Sequence, residues 1–544
     1  MTPDGPAFQH RRLRAPKEDG ATYIDPPLSQ AGQLIEANRR SRGEQPCEIL
    51  GRPLAALADE ARRQLIDAAA GYTRSYRDVD VAAGAADRPV LIAGHQPQMF
   101  HPGVWLKSFA LSRLAEQHQG TAINLIIDND TLRHPSLRVP GGSIARPTVS
   151  DVMADQPNAE MPYEQRRIVD RELFLSFGRR ASDQIAPLVP EPLLKAFWPM
   201  VLDRFVQTDN LGECIAQGRH RLEGEWGLST LEIPLSRVCR LEAFEVFVAH
   251  LLARLADFHE VYNSSLAEYR RINHVRSRAH PVPDLAAQDD WLEAPLWIWS
   301  DEDPQRRRLF VRRDGDAVVL SDRRHREIRL TIARDCTNAA AAAQLTQLAN
   351  SGLKLRPRAL LTTMFARLFL SDLFLHGIGG AKYDQLTDVL IARFFGVRPP
   401  RFLTLSGTLL LPIDRPAVDA GLVRDTSGTL RELKFHPEVH LPASHVDSTT
   451  TDLIAAKQRW IETPQTPANA RERYLAFRSI NAALQPAVAQ IRRRLLGRLE
   501  TQREMLRTEA ILTSREYAFC LYDEKTLRKL IRIIGGRLTS NVRR

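Results

Sequence analysis

His95, Gln96, His101 and Lys107 fall within one short stretch, RPVLIAGHQPQMFHPGVWLK, from Arg88 to Lys107. Imidazole titrates near neutral pH and can serve as acid or base, and a Gln amide can orient a substrate by hydrogen bonds. An ammonium at Lys107 could meet a phosphate or carboxylate, or could be a solvated helix lysine. Asp128 and Asp130, at spacing two in Asp128-Asn129-Asp130, could bind an amine or ribose hydroxyls, serve as a base, or cap the next turn. A third group, His436, His440 and His445 in FHPEVHLPASHV, has metal-ligand spacing. Pro437 and Pro442 interrupt the helix that would align those histidines, so the run reads as a loop and no metal site is expected.

These residues need elements to hold them. Val90-Leu91-Ile92-Ala93 is an apolar run that stops at Gly94, and Ala122 to Ile127 is a second run that stops at Asp128. Val104 to His118, between them, carries an apolar helical face of Trp105, Phe109, Leu111 and Leu114 behind a Pro102-Gly103 start. Strand, helix, strand with polar groups at each strand end is the pattern of a parallel α/β sheet, in which ligands gather at the carboxyl ends of the strands. Gly94 permits a tight turn and close approach of backbone N–H groups to a ligand. Gly377, Gly379 and Gly380 repeat that arrangement after the buried run Asp372 to His376. Either cluster could equally be ordinary turn glycine, and neither belongs to a dinucleotide fingerprint or a P-loop.

Further helices are expected at Leu50 to Tyr72, Pro192 to Asp209, Glu242 to Arg270, Arg358 to Phe369 and Lys382 to Phe395. Between roughly 275 and 335, short strand-like runs and the Asp314-Gly315 turn predict a small antiparallel sheet. Phe402 to Leu411 reads as a strand, and Ile413 to Gln465 as loop-rich. Ala468 to Leu484 and Pro486 to Ala510 read as a helical hairpin or short coiled coil, which suggests self-association. The expected division is a polar N-terminal segment over 1–45 that is poorly ordered at its start, the first half of a core over 46–240, an insertion over 241–345, the second half over 346–450, and a helical region over 451–544.

The chain of 544 residues is 43% hydrophobic and 26% charged, ordinary values for a globular protein. No run is long and apolar enough to span a membrane and no secretory signal is visible, so a cytoplasmic protein is expected. Five scattered cysteines, with no C-x-x-C pair, fit a reducing compartment. Nine lysines leave arginine to supply nearly all of the positive charge behind the net +10. Arg11-Arg12, Arg306-Arg307-Arg308 and Arg492-Arg493-Arg494 lie far apart without interleaved aromatics, which argues against nucleic-acid binding.

GHQPQMFHPGVWLKSFAL resembles the Gly-Gln-Gln motif of the bacillithiol-synthesis cysteine-adding enzymes, the BshC family, in which a Gly-Pro-containing loop and a Lys-bearing helix follow the strand. Gly94, Gln96, Pro102, Gly103 and Lys107 occupy similar places, with His95 for the first Gln. The family's next strand ends in Glu-Asp-His-Asp, where this chain has Ile127-Asp128-Asn129-Asp130. Downstream, Arg356, Pro357, Gly379, Gly380 and Tyr383 fit the family's Arg-Pro, its Gly-Gly-Pro-Gly-Glu loop and its Tyr-bearing helix, although Ala381-Lys382 stand where the loop glutamate belongs. The HQP segment is also similar to WbqC-like proteins over a much shorter stretch.

The BshC resemblance implies an interrupted Rossmann-like parallel-sheet core, a nucleotide site for ATP or ADP, and a dimerising C-terminal coiled coil. It implies a reaction joining cysteine to a glucosamine-malate acceptor. On this reading Gly94, Gln96, Arg356 and Tyr383 position substrate, and His95 or His101 is the acid or base. Asp128 or Asp130 holds an amine or takes a proton. Lys107 with Gly377, Gly379 and Gly380 contacts anionic groups. The competing expectation is a non-catalytic binding or assembly protein that keeps the fold, favoured by the departures at Asn129 and Ala381-Lys382.

Overall fold

A computed structural model describes residues 6–10, 13–333, 340–414, 419–442 and 447–539. His445 and Cys336 lie outside the described residues. The chain divides into two compact units: 1–141, 150–412 and 515–544 form the first, and 142–149 with 413–514 the second.

The first unit is built on a six-stranded sheet. Its strands are β1 (Thr22–Asp25), β2 (Val90–His95), β3 (Thr121–Ile126), β4 (Leu231–Pro234), β5 (Leu373–His376) and β6 (Phe402–Gly407), in the spatial order β1-β6-β5-β2-β3-β4. All neighbours are parallel except β1, which runs antiparallel along β6. The expected parallel sheet is therefore present. Strands covered on both faces must be apolar throughout, and Val90 to Ala93 are buried on both faces. Val90 and Ile92 enter a core shared with α1 (Leu54–Arg74), whose Leu54, Leu57, Ala61, Leu65 and Ala69 recur at three- and four-residue spacing. On the alternate face, helix α2 (Pro102–Gln117) crosses β2, β3 and β6.

A second, antiparallel sheet shares that core through Leu296, Ile298, Leu309 and Val311. Its central strand Trp291–Ser300 pairs with Arg307–Asp314, which continues through Ala317–Ser321 to Glu327–Thr331. The Asp314-Gly315 turn is where the sequence puts it, with Gly315 at φ +59°. The sheet also takes Leu353–Pro357 on the other side of Trp291–Ser300, a strand lying beyond the expected 275–335.

The polar N-terminal segment holds β1 and a helix, Ala31–Glu44, fastened where Asn38 donates to the Asp372 and Arg401 carbonyls at 2.8 Å. Some of the expected elements need correction. The helix expected over Glu242 to Arg270 breaks at Arg254 into Glu242–Ala253 and Leu255–Ile272. Among the described residues no helix is long and apolar enough to cross a membrane.

The described residues of 413–514 in the second unit are mainly helical, including the region expected to be loop-rich. This unit contains α3 (Ala420–Phe435), α4 (Ser448–Glu462) and α5 (Ala470–Leu512), with α3 and α4 packed on α5. Asp419 and Asp447 cap α3 and α4 by accepting the N–H groups of Gly421 and Thr450. His436 ends α3 and His440 lies in a short turn, each beside a glutamate, Glu438 at 3.5 Å and Glu432 at 3.4 Å. The expected hairpin of 468–484 and 486–510 is one 43-residue helix with Pro486 inside it. Burial of Leu484 and Val488 on either side carries the helix through a residue that cannot donate a backbone hydrogen bond. Replacing the exposed Pro486 with Ala should therefore stabilise this unit by about 1–3 kcal/mol, read as a raised thermal midpoint. An unchanged or lowered midpoint would show that α5 is shaped around the proline.

Candidate functional site

From β2 the chain passes to β3 and β4 on one side, and it later returns to β5 and β6 on the other. Strand order reverses between β2 and β5, and a crevice must open above such a point. Leu375 pairs with Ala93, which sets His376 and Gly94 side by side at the strand ends. A cavity of about 940 Å³ lies there.

Nine of the sequence-predicted residues line it: Gly94, His95, Gln96, His101, Lys107, Asp130, Gly377, Gly379 and Gly380. Asp128, Arg356 and Tyr383 do not. Asp128 is buried and accepts Ser236 N–H at 2.9 Å and the Ser236 hydroxyl at 2.5 Å, fixing the turn after β4. Burial and the nearby Glu164 raise its carboxyl above the usual range. Arg356 is buried and donates from Nε to Glu164 at 2.9 Å. Tyr383 packs against the shared apolar core.

The nine have distinct surroundings. Burial, reinforced by Lys107, pushes the His95 imidazole down to about 3, so it is neutral at physiological pH. His101 Nδ1 accepts Gly103 N–H at 3.1 Å and so caps α2, and burial and Arg515 push that imidazole down to about 4. Gln96 donates to Asp130 at 3.0 Å. Asp130 also accepts Thr131 N–H at 2.9 Å and Arg306 at 3.3 Å. Lys107 donates to the Gly94 carbonyl at 3.0 Å, and burial pushes its ammonium down to about 8.

The sequence reading missed much of the wall. The guanidinium groups of Arg306 and Arg358 lie over the Trp297 ring, 4.4 and 4.3 Å from its centre. The fully buried Glu293 pairs with Arg358 at 2.5 Å and with Arg308 at 3.4 Å. Strand alternation was the available signal: it sends Arg306 and Arg308 to the cavity and Arg307 to Asp303 and Asp322. Arg14, Lys382 and Arg515 complete a lining of seven cationic side chains against two carboxylates, Asp130 and Glu516. Such a field favours an anionic ligand. The α-helix Ile378–Leu390 adds its N-terminal end at Gly377, Gly379 and Gly380.

Among the described residues, His220, Glu223 and Glu232 bring donor atoms within 4.8 Å of one another. Arg219 already supplies the positive charge there, at 2.6 Å from Glu223 and 2.5 Å from Glu232. His220 is engaged at both nitrogens, by Tyr76 at 2.8 Å and by Thr230 at 2.9–3.0 Å. The cluster is an internal ion-pair network around Arg219. No family model matches the chain, and no curated protein matches it.

Two glycines separate packing from function. A Cβ on Gly103 would lie 2.0 Å from the Gly407 carbonyl oxygen, whereas one on Gly379 would meet nothing within 4 Å. Gly103→Ala should therefore destabilise the protein by roughly 1–3 kcal/mol as backbone shifts to relieve the overlap. Gly379→Ala should leave the melting temperature unchanged or raised and alter only ligand binding. Equal melting temperatures for the two variants would disprove this packing of α2 on β6.

Lys107 gives a pH test. An ammonium whose folded value of about 8 lies below its unfolded 10.5 binds protons less well in the folded state. It therefore lowers stability in full below about pH 8, and the penalty fades as pH rises toward 10.5. The stability of Lys107→Met relative to the wild type should fall by about 3 kcal/mol between neutral pH and alkali above pH 10.5, read from urea midpoints. A difference independent of pH would assign the effect to packing instead.

Proposed function

We propose that the chain is a BshC-like ligase or transferase that joins cysteine, or a related amine or thiol compound, to a small polar acceptor of amino-sugar type. The observation that carries this reading is the excess of cationic side chains around one cavity at the point where strand order reverses. The volume, about 940 Å³, is at the upper end for ligand pockets and leaves room for two small reactants. The strand-order reversal supports a Rossmann-like character for the core. The glycine-lined start of the Ile378–Leu390 helix, with the exposed Lys382 beside it, suits phosphate groups of ATP or ADP. Exposed Tyr474, Leu475 and Leu496 on α5 support a homodimer, and a cytoplasmic setting goes with this chemistry.

The second reading, a binding protein without catalysis, is favoured by one side chain. Asn129 stands where the family has His, and its amide donates to the Pro357 carbonyl at 2.7 Å. That position has no proton chemistry to offer.

A thermal-shift screen against ATP, ADP, cysteine and glucosamine-malate tests the proposal. A true ligand at about 100 times its dissociation constant should stabilise the protein by about 2.7 kcal/mol. Lys382→Ala should diminish the response to anionic ligands while leaving the unliganded midpoint in place, because Lys382 makes no ion pair among the described residues. Mass spectrometry of mixtures with and without ATP should then detect the cysteine–acceptor adduct. Stabilisation without adduct favours the non-catalytic reading, and no response to any of the four removes the proposed substrate class.

A further inference from the structure

His376, the last residue of β5, lines the cavity and is 4% exposed. Its ring lies against Phe374 and Phe402, with centroids 4.6 and 4.9 Å away. Nε2 is 2.7 Å from the Asp384 carboxylate, on the second turn of the Ile378–Leu390 helix. Asp384 is itself buried, accepting Arg367 at 2.6 Å and the Thr363 hydroxyl at 3.0 Å. Burial opposes its charge, yet Arg367 and His376 together hold the carboxyl below the usual range, so it is ionised.

The tautomer follows from that charge. An ionised carboxylate can only accept, so Nε2 must carry a hydrogen when the ring is neutral, and Nδ1 is left with its lone pair. Nδ1 has no hydrogen-bond partner among the described residues. It faces Gly380, where a Cβ would approach to 2.6 Å, so the missing side chain is what keeps that edge of the ring clear. Gly380 also lines the cavity. The other two imidazoles are less suited to take a proton. His101 Nδ1 is occupied by the α2 cap, and His95 has no carboxylate partner.

We propose that His376 is the base of this cavity, its Nδ1 accepting a proton from an N–H, O–H or S–H group of the bound ligand. The proton moves to Nδ1, the electron pair stays on the ligand heteroatom, and Asp384 remains ionised beside the resulting imidazolium. Asp384 is a positioning residue: it fixes the ring and its tautomer without touching ligand. The inference rests on the cavity being a ligand site but not on the identity of the acceptor.

Acylation of the wild-type full-length protein by diethyl pyrocarbonate, mapped by peptide mass, tests it without requiring a substrate or a variant that folds. His376 should be modified while His220, buried and bonded at both nitrogens, stays intact in the same sample. Nitrogen-15 spectra of histidine-labelled protein should place the His376 proton on Nε2 at neutral pH, with the signal assigned by its loss in His376→Gln. A His376 peptide that stays as inert as that of His220 would overturn the inference, as would a proton on Nδ1. If His376 reacts while no ligand shifts the melting temperature, the base stands and the ligase reading falls. An inert His376 in a protein that binds the proposed ligands gives the reverse.

Discussion

The carboxylate of Asp372 accepts the Val90 N–H at 2.8 Å, and the Asp372 N–H is given to the Val90 carbonyl at 2.7 Å. Arg42 ion-pairs with the same carboxylate, and Asn38 donates to the Asp372 carbonyl. This buried knot joins the starts of β2 and β5, separated by 282 residues of chain, to the N-terminal helix. The remainder of the site depends on it. A slip of one residue would turn every side chain of β5 to the opposite face and carry His376 away from Gly94. Removing one partner from a buried charged pair also leaves the other uncompensated, at a cost of about 3–5 kcal/mol.

Cations crowded around one cavity repel one another, and the wall shows how they are held. Glu293 sits behind Arg308 and Arg358, and Asp130 sits behind Arg306. The Trp297 ring gives two of the guanidinium groups an aromatic face to rest on. These partners offset the repulsion while fixing the side chains before a ligand arrives, so less freedom remains to be lost on binding. His95 and Lys107, in contrast, have no carboxylate to balance them, and burial shifts both toward their neutral forms.

Much of the sheet and part of the site were legible in the sequence because their signals are local. Val90 to Ala93 is an apolar run ended by glycine, and the residues following it have nowhere to go but the strand end. The same logic placed Gly377, Gly379 and Gly380. What escaped is what distance in sequence conceals. Arg306, Arg308 and Arg358 reach the cavity only through the second sheet, and Asp384 acts only through His376. Asp128 illustrates the reverse error. Its spacing matches Asp130, yet Ser236, more than a hundred residues later, takes both of its oxygens. The 413–465 region was misread because glycine, proline and polar residues dilute the helical period, while packing of α3 and α4 on α5 supplies what local preference lacks. Pro486 misled in the same way, since a proline stops a helix only where nothing else holds it.

Arg515, the first residue after the helical unit, donates to the Gly407 carbonyl at 2.8 Å and to the Ser406 hydroxyl at 3.2 Å. The chain thus leaves the last strand of the sheet and, about a hundred residues later, is fastened back to the end of that strand. An excursion that closes on its own point of departure imposes no register on what it left. Evolution can lengthen, trim or exchange such a cassette while the six strands keep their alignment.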